Sequence, residues 1–106
     1  MLKNYSPSLP VKSILVDGLP EPVYIKSWSQ RQKNVIASNV DTKNMDKTYV
    51  KILAASLCDE SGQLMYSEKE AECLLDYPSQ MIETVVKEAY AFNGIDLSAV
   101  AEKKSN

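Results

Sequence analysis

The chain has 106 residues, 44% of them apolar and 25% charged, with a formal net charge of −2, which are the values of one ordinary globular domain. It contains no histidine, so the commonest acid–base group, the commonest transition-metal ligand and every His-containing triad are excluded. No apolar run approaches the ~20 residues of a membrane span, and the start MLKNYSPSLP lacks a secretory apolar core.

A soluble cytoplasmic protein is therefore expected, and the Asn4-Tyr5-Ser6 sequon reads as chance. A chain of this length buries roughly 65% of the surface its unfolded form exposes, enough for one core without staples. Cys58 and Cys73 are read as buried, inert thiols, because a disulfide is disfavoured in a reducing compartment. The charge is uneven. Residues 1–51 hold eight Lys/Arg against four Asp/Glu (net +4), and residues 52–106 hold four against ten (net −6). The basic residues are dispersed, so no nucleic-acid footprint is expected. Two solvated faces are the plain reading; association between copies, or with a partner, is the functional one.

Residues 1–10, with two prolines and no periodicity, are expected to form a flexible arm. VKSILV and VYIK are β-branched runs separated by DGLPEP, and Asp17-Gly18 is a turn signal. They predict a hairpin with strands over 11–16 and 23–26. Ser29 stands three before Gln32, the capping-box spacing, and opens a weakly amphipathic helix with Trp28, Val35, Ile36 and Val40 near one face. Residues 41–47, DTKNMDK, are polar and turn-rich and are read as a loop.

The stretch TYVKILAASLC fits two periods. Tyr49, Ile52, Leu53 and Leu57 make a helical stripe, while the β-branched start suits a strand. LCDESGQLMYSE, Leu57–Glu68, poses a further choice. Its Asp59, Ser61, Gly62 and Glu68 occupy the third, fifth, sixth and twelfth positions of an EF-hand loop. Leu57 occupies the first, where an anchoring carboxylate is required, so calcium binding is not expected. The alternative is a tight DESG turn, and QLMY is too short for a helix because Ser67 opens a capping box with Glu70. The reading is a second hairpin, 49–58 with 63–66.

Two helices follow. SEKEAECLLDY carries Glu68, Glu70 and Glu72 near the positive end of its dipole. Pro78 ends it and suits the first turn of the next. In PSQMIETVVKEAYAFNG, Ile82, Val85, Val86, Ala89 and Phe92 form a broad apolar face. Gly94 is placed for a left-handed cap, with Ile95 folding back on Tyr90. The expected fold is α+β: a single domain over 11–97, with two β-hairpins in a short antiparallel sheet packed against about three α-helices, followed by a frayed tail over 98–106.

Little catalytic chemistry is on offer. Asp59 and Glu60 sit on a turn, Cys58 has neither a base nor a helix N-terminus beside it, and three glycines give no phosphate-cradling loop. No cofactor, metal or catalytic site is expected. Tyr66, Tyr77, Tyr90 and Phe92 suit either the edge of a small core or an exposed aromatic patch. Met65 and Met81 are adaptable apolar residues. Met65, Tyr66, Tyr77, Met81 and Tyr90 are the candidate partner-binding residues.

The same landmarks resemble the tail assembly chaperones of long-tailed bacteriophages. The likeness lies in the aliphatic–Ala–Ala run of Leu53–Leu57, the Asp-x-x-Gly turn Asp59–Gly62, the aliphatic–aromatic pair in Leu64–Tyr66 and the acidic helix start Ser67–Glu72. Pro78 opening a final helix that ends at Asn93–Gly94 continues it, and VDGLPEPVYIKSWS is similar to the family's N-terminal strand pair. The resemblance covers roughly residues 11–97; two extra prolines in the first turn and Cys58 depart from it. It implies a non-enzymatic protein of the host cytoplasm, absent from the mature virion. Such a protein self-associates, coats and solubilises the tape-measure protein, and helps recruit tail-tube subunits. It also implies that a ribosomal frameshift near Lys103-Lys104 could make a longer form. A regulatory module docking one partner helix is the alternative.

Overall fold

The computed structural model describes residues 8–95. The arm and tail expected at 1–10 and 98–106, and the Lys103-Lys104 pair, fall wholly or mainly outside the described residues. Two strands, β1 (Val11–Ile14) and β2 (Val23–Lys26), form the first hairpin, with Ile14 opposite Val23 and Lys12 opposite Ile25. β1 stops two residues short of the expected end because the chain turns at Val16, whose carbonyl accepts from Leu19 N–H at 3.1 Å. Val16 remains in the core, while Leu15 is 85% exposed.

α1 (Gln30–Ser38) starts where the capping spacing placed it, with Ser29 Oγ accepting from Gln32 N–H at 3.1 Å. Its buried stripe is narrower than expected. Ile36 is its one buried residue, and Val35 and Val40 are exposed.

The largest correction is α2 (Met45–Ser56), a helix where the long strand of the second hairpin was expected. The helical stripe prevails over the β-branched start. Ile52 and Leu53 are fully buried on it, and Leu57 follows into the core. Thr48, one of the strand-like residues, has a different use: its Oγ1 accepts from Asp41 N–H at 3.0 Å. The second hairpin survives in minimal form. β3 (Leu57–Cys58) pairs antiparallel with β2, and Cys58 bridges Leu64 across the turn. The sheet order is β1-β2-β3.

The loop expected at 41–47 ends at Asn44, since α2 begins at Met45. Ser67 and Glu70 form the complete capping box of α3 (Glu68–Ala71), which tightens into a 3₁₀ helix over Glu72–Asp76. α4 (Ser79–Phe92) then packs against α2. Its end is a Schellman cap: Gly94 has φ +75°, Ile95 N–H donates to Tyr90 O at 2.9 Å and Gly94 N–H to Ala91 O at 3.1 Å.

Ile14, Ile25 and Leu57 from the sheet meet Ile52, Leu53, Ile82 and Val86 from α2 and α4 in one core. Its two buried polar residues are satisfied. Thr48 is used as described, and Ser56 Oγ accepts from Trp28 Nε1–H at 2.8 Å. The α+β architecture expected from the sequence is thus the observed one, with one more helix and less strand.

Candidate functional site

Sequence reasoning pointed to five residues for partner binding, and four of them converge. Met65, Tyr66, Tyr77 and Met81 line a single groove of about 420 Å³. They reach it from three pieces of local structure. The DESG turn delivers Met65 and Tyr66. Asp59 Oδ1 accepts from Ser61 N–H (2.9 Å), Ser61 Oγ–H (2.6 Å) and Gln63 N–H (3.0 Å), while Gly62 N–H donates to Asp59 O at 2.9 Å. Gly62 has φ +92°, a conformation that L side chains rarely adopt. Met65 N–H then donates to Leu57 O at 3.1 Å, which fixes the exit direction of the chain.

Tyr77 closes the 3₁₀ helix, donating its N–H to Leu74 O at 3.1 Å, and Pro78 redirects the chain into α4. Met81, on the first turns of α4, packs its Cε against the Gly18 backbone, where a Cβ would not fit. Val23 and Tyr24 of β2 complete the far wall. Met65 and Tyr77 are 54% and 50% exposed, and Leu64 beside them is 46% exposed. The groove is therefore open and apolar.

The fifth candidate, Tyr90, lies elsewhere. It is buried in the core with its ring edge-on to Trp28, centroids 5.9 Å apart and planes at 77°. Desolvation pushes its phenol above the ordinary range, with Tyr49 adding to the effect. Phe92, the remaining member of the aromatic set, is also remote from the groove, with Lys12 Nζ 6.0 Å from its ring centre.

Among the described residues the groove's charged lining is of one sign: Glu21, Asp59 and Glu60, with no lysine or arginine. Asp59 is held below the usual carboxylate range, first by the Ser61 hydroxyl and then by the amide of Gln63. It stays ionised at neutral pH. Cys58 lies at the groove but is buried, and burial, then Asp59, push its thiol up. That is the opposite of nucleophile activation. Cys73, expected to be buried, is instead exposed, because it falls on the outward side of the 3₁₀ helix; both cysteines are free.

The EF-hand positions do not converge on a cation. Asp59 spends one carboxylate oxygen on its own turn, and Glu68 stands in the first turn of α3, 3.4 Å from Lys51 Nζ. Among the described residues, no group of three or more Cys, Asp or Glu side chains is placed to hold a metal ion. Among them, too, no helix is long and apolar enough to cross a membrane. A larger cleft of about 820 Å³ between α2 and α3 is polar and carries both signs of charge, with Asp41, Asp46, Lys47, Lys51, Glu68 and Lys69 around it. Comparison with protein-family models, curated proteins and solved structures gives no match to this chain.

Among the groove residues that sequence reasoning missed are Val23, Tyr24, Leu19 and the acidic Glu21, Asp59 and Glu60. The contribution of Val23 and Tyr24 depends on β2 lying between β1 and β3, an order that no local pattern encodes.

Proposed function

We propose that this chain is a non-enzymatic tail assembly chaperone that binds and solubilises a tape-measure protein and helps recruit tail-tube subunits. Two things support the reading: the resemblance over residues 11–97 and the open apolar groove of Met65, Tyr66, Tyr77 and Met81. The groove is the observation that carries it. A long helix-rich chain with apolar faces aggregates when uncovered, and a small protein with an exposed, methionine-lined groove can cover one segment of such a face. Many copies along the chain would then do what one cannot. Self-association of the chaperone belongs to the same proposal.

The reading is tested first by whether a long helical protein is encoded nearby, and then by co-expression with it and sedimentation of the soluble fraction. A soluble complex holding several copies of this chain per long chain is the expected result. Recovery of the long protein only in the pellet would refute the chaperone role. A second reading, a regulatory module docking a single partner helix, draws on the same groove. A one-to-one complex with a short partner, and no long helical protein encoded nearby, would favour it instead.

A further inference from the structure

The charge around the groove says more about its occupant than its shape does. An apolar floor binds any apolar face, but the rim selects. Glu21 and Glu60 are exposed at this rim, and Asp59 beside them is committed to its ionised form by the turn. Among the described residues no lysine or arginine lines the groove, and Lys26 acts on Cys58 from outside that lining. The larger cleft differs in this respect, since Lys47, Lys51 and Lys69 are mixed there with Asp41, Asp46, Glu68 and Glu72. A partner segment with acidic flanks would meet like charge across a partly desolvated contact, whereas basic flanks would be attracted and oriented.

We infer that the groove docks one amphipathic helix of a partner chain, with large aliphatic side chains at i, i+3 or i+4, and i+7 on the Met65–Tyr77–Met81 floor and Lys or Arg on the flank facing Glu21, Asp59 and Glu60. The inference rests on the chaperone reading and specifies the partner surface within it: basic-flanked apolar helical segments are covered, acidic-flanked ones are left. The floor suits a family of related segments rather than one sequence. Met65 and Met81 are unbranched and adapt to differently shaped anchors, while Tyr66 and Tyr77 supply rigid aromatic surface.

The test uses the full chain and three fluorescein-labelled synthetic helical peptides. One has a leucine face with lysine flanks, one the same face with glutamate flanks, and one an alanine face with lysine flanks. Fluorescence anisotropy is expected to show the leucine–lysine peptide binding about tenfold more tightly than the leucine–glutamate peptide, the effect of a few rim ion pairs. The alanine–lysine peptide should be weaker still. Glu21→Lys with Glu60→Lys should invert the flank preference, and Met65→Asp with Tyr77→Ser should abolish binding with the circular dichroism spectrum unchanged. All four positions are exposed, so the variants should fold.

Equal affinity for both flanks, binding untouched by the floor substitutions, or no binding by the folded wild type would each overturn the inference. So would self-association of the peptide-free protein that Met65→Asp abolishes, since the groove would then be filled by a second copy. Co-expression separates this inference from the chaperone reading. If wild type and floor variant solubilise the long helical protein equally, the groove assignment fails and the chaperone stands. If neither does so while the peptide preference holds, the reverse is true.

Discussion

Replacing Ser56 by alanine removes one oxygen atom, yet it is expected to be among the more costly small changes available in this protein. Trp28 is 7% exposed and Ser56 is fully buried, and the indole N–H donates to the hydroxyl at 2.8 Å. An indole nitrogen has no other hydrogen to give. Without Oγ the N–H keeps its desolvation cost and loses its acceptor, a penalty of about 1–3 kcal/mol. Alanine's better helix propensity returns little, because Ser56 is the last residue of α2. A net loss of about 2 kcal/mol is expected, which at a urea slope of ~1–2 kcal/mol per molar lowers the midpoint by about 1–2 M.

The chain has one tryptophan, so its fluorescence reports on this contact and on unfolding together. A double-mutant cycle with Trp28→Phe, followed by far-UV circular dichroism, isolates the pair. In the phenylalanine background there is no N–H to strand, so Ser56→Ala should be nearly neutral. If Ser56→Ala costs the same in both backgrounds, or nothing in either, the buried hydrogen bond is not what holds α2 to the chain ahead of α1.

Gly62→Ala should destabilise by about 1–2 kcal/mol, the cost of a left-handed L residue, and by more than Gly94→Ala in thermal melts. A Cβ at Gly62 would also lie 3.1 Å from Val11 Cγ2, whereas Gly94 has open space. Asp59 and Glu70 both have depressed carboxyl pKa values in the folded state, from Ser61 and Gln63 in one case and Ser67 in the other. Their contribution is therefore present above the ordinary carboxylate pKa of about 4 and lost as pH falls through the folded values; Asp59→Ala should flatten the acid limb of the stability–pH curve. Calorimetric titration should show no micromolar calcium affinity, and such affinity would revive the EF-hand reading. If the +4 and −6 halves drive association, the sedimenting mass should fall as the Debye length shortens from about 10 Å to about 3 Å between 0.1 M and 1 M salt.

That last expectation is tempered by the fold. The ion pairs Lys12–Glu88 (3.3 Å) and Lys51–Glu68 (3.4 Å) both join the basic half to the acidic half within one chain. Part of the complementarity is internal, in exposed pairs worth about 0–1 kcal/mol each. An unchanged mass in high salt would leave these internal pairs as the sole consequence of the asymmetry.

Punctuation was the most legible part of the sequence. The Ser67–Glu70 box, the Asp17-Gly18 turn and the Gly94–Ile95 cap all act through backbone groups a few residues away, so local spacing suffices to find them. α2 was misread for a different reason. Thr48, Tyr49 and Val50 favour a strand locally, and only the burial of Ile52 and Leu53 against elements from both ends of the chain decides otherwise. The Trp28–Ser56 bond had no local signal at all, since a serine at a helix end ordinarily faces water. Cys73 shows the converse: a residue type that is usually buried, carried outward by the phase of a 3₁₀ turn.

The fate of the five partner-binding candidates was partly written in α4. Ile82, Val85, Val86, Ala89 and Tyr90 are buried, and they recur at i, i+3, i+4, i+7 and i+8. Tyr90 thus belongs to the core stripe by its spacing, and its removal from the surface set could have been foreseen. Met81 precedes Ile82 by one residue and lies on the stripe's margin, half-buried. A three-stranded sheet whose last strand has two residues is too narrow to cover that margin. The apolar surface left over, on Met81, Tyr77 and the Met65 side of the turn, is the floor of the groove. The helix at 45–56 is therefore more than a local correction: it leaves a last strand of two residues and brings Leu53 into the lining of the groove.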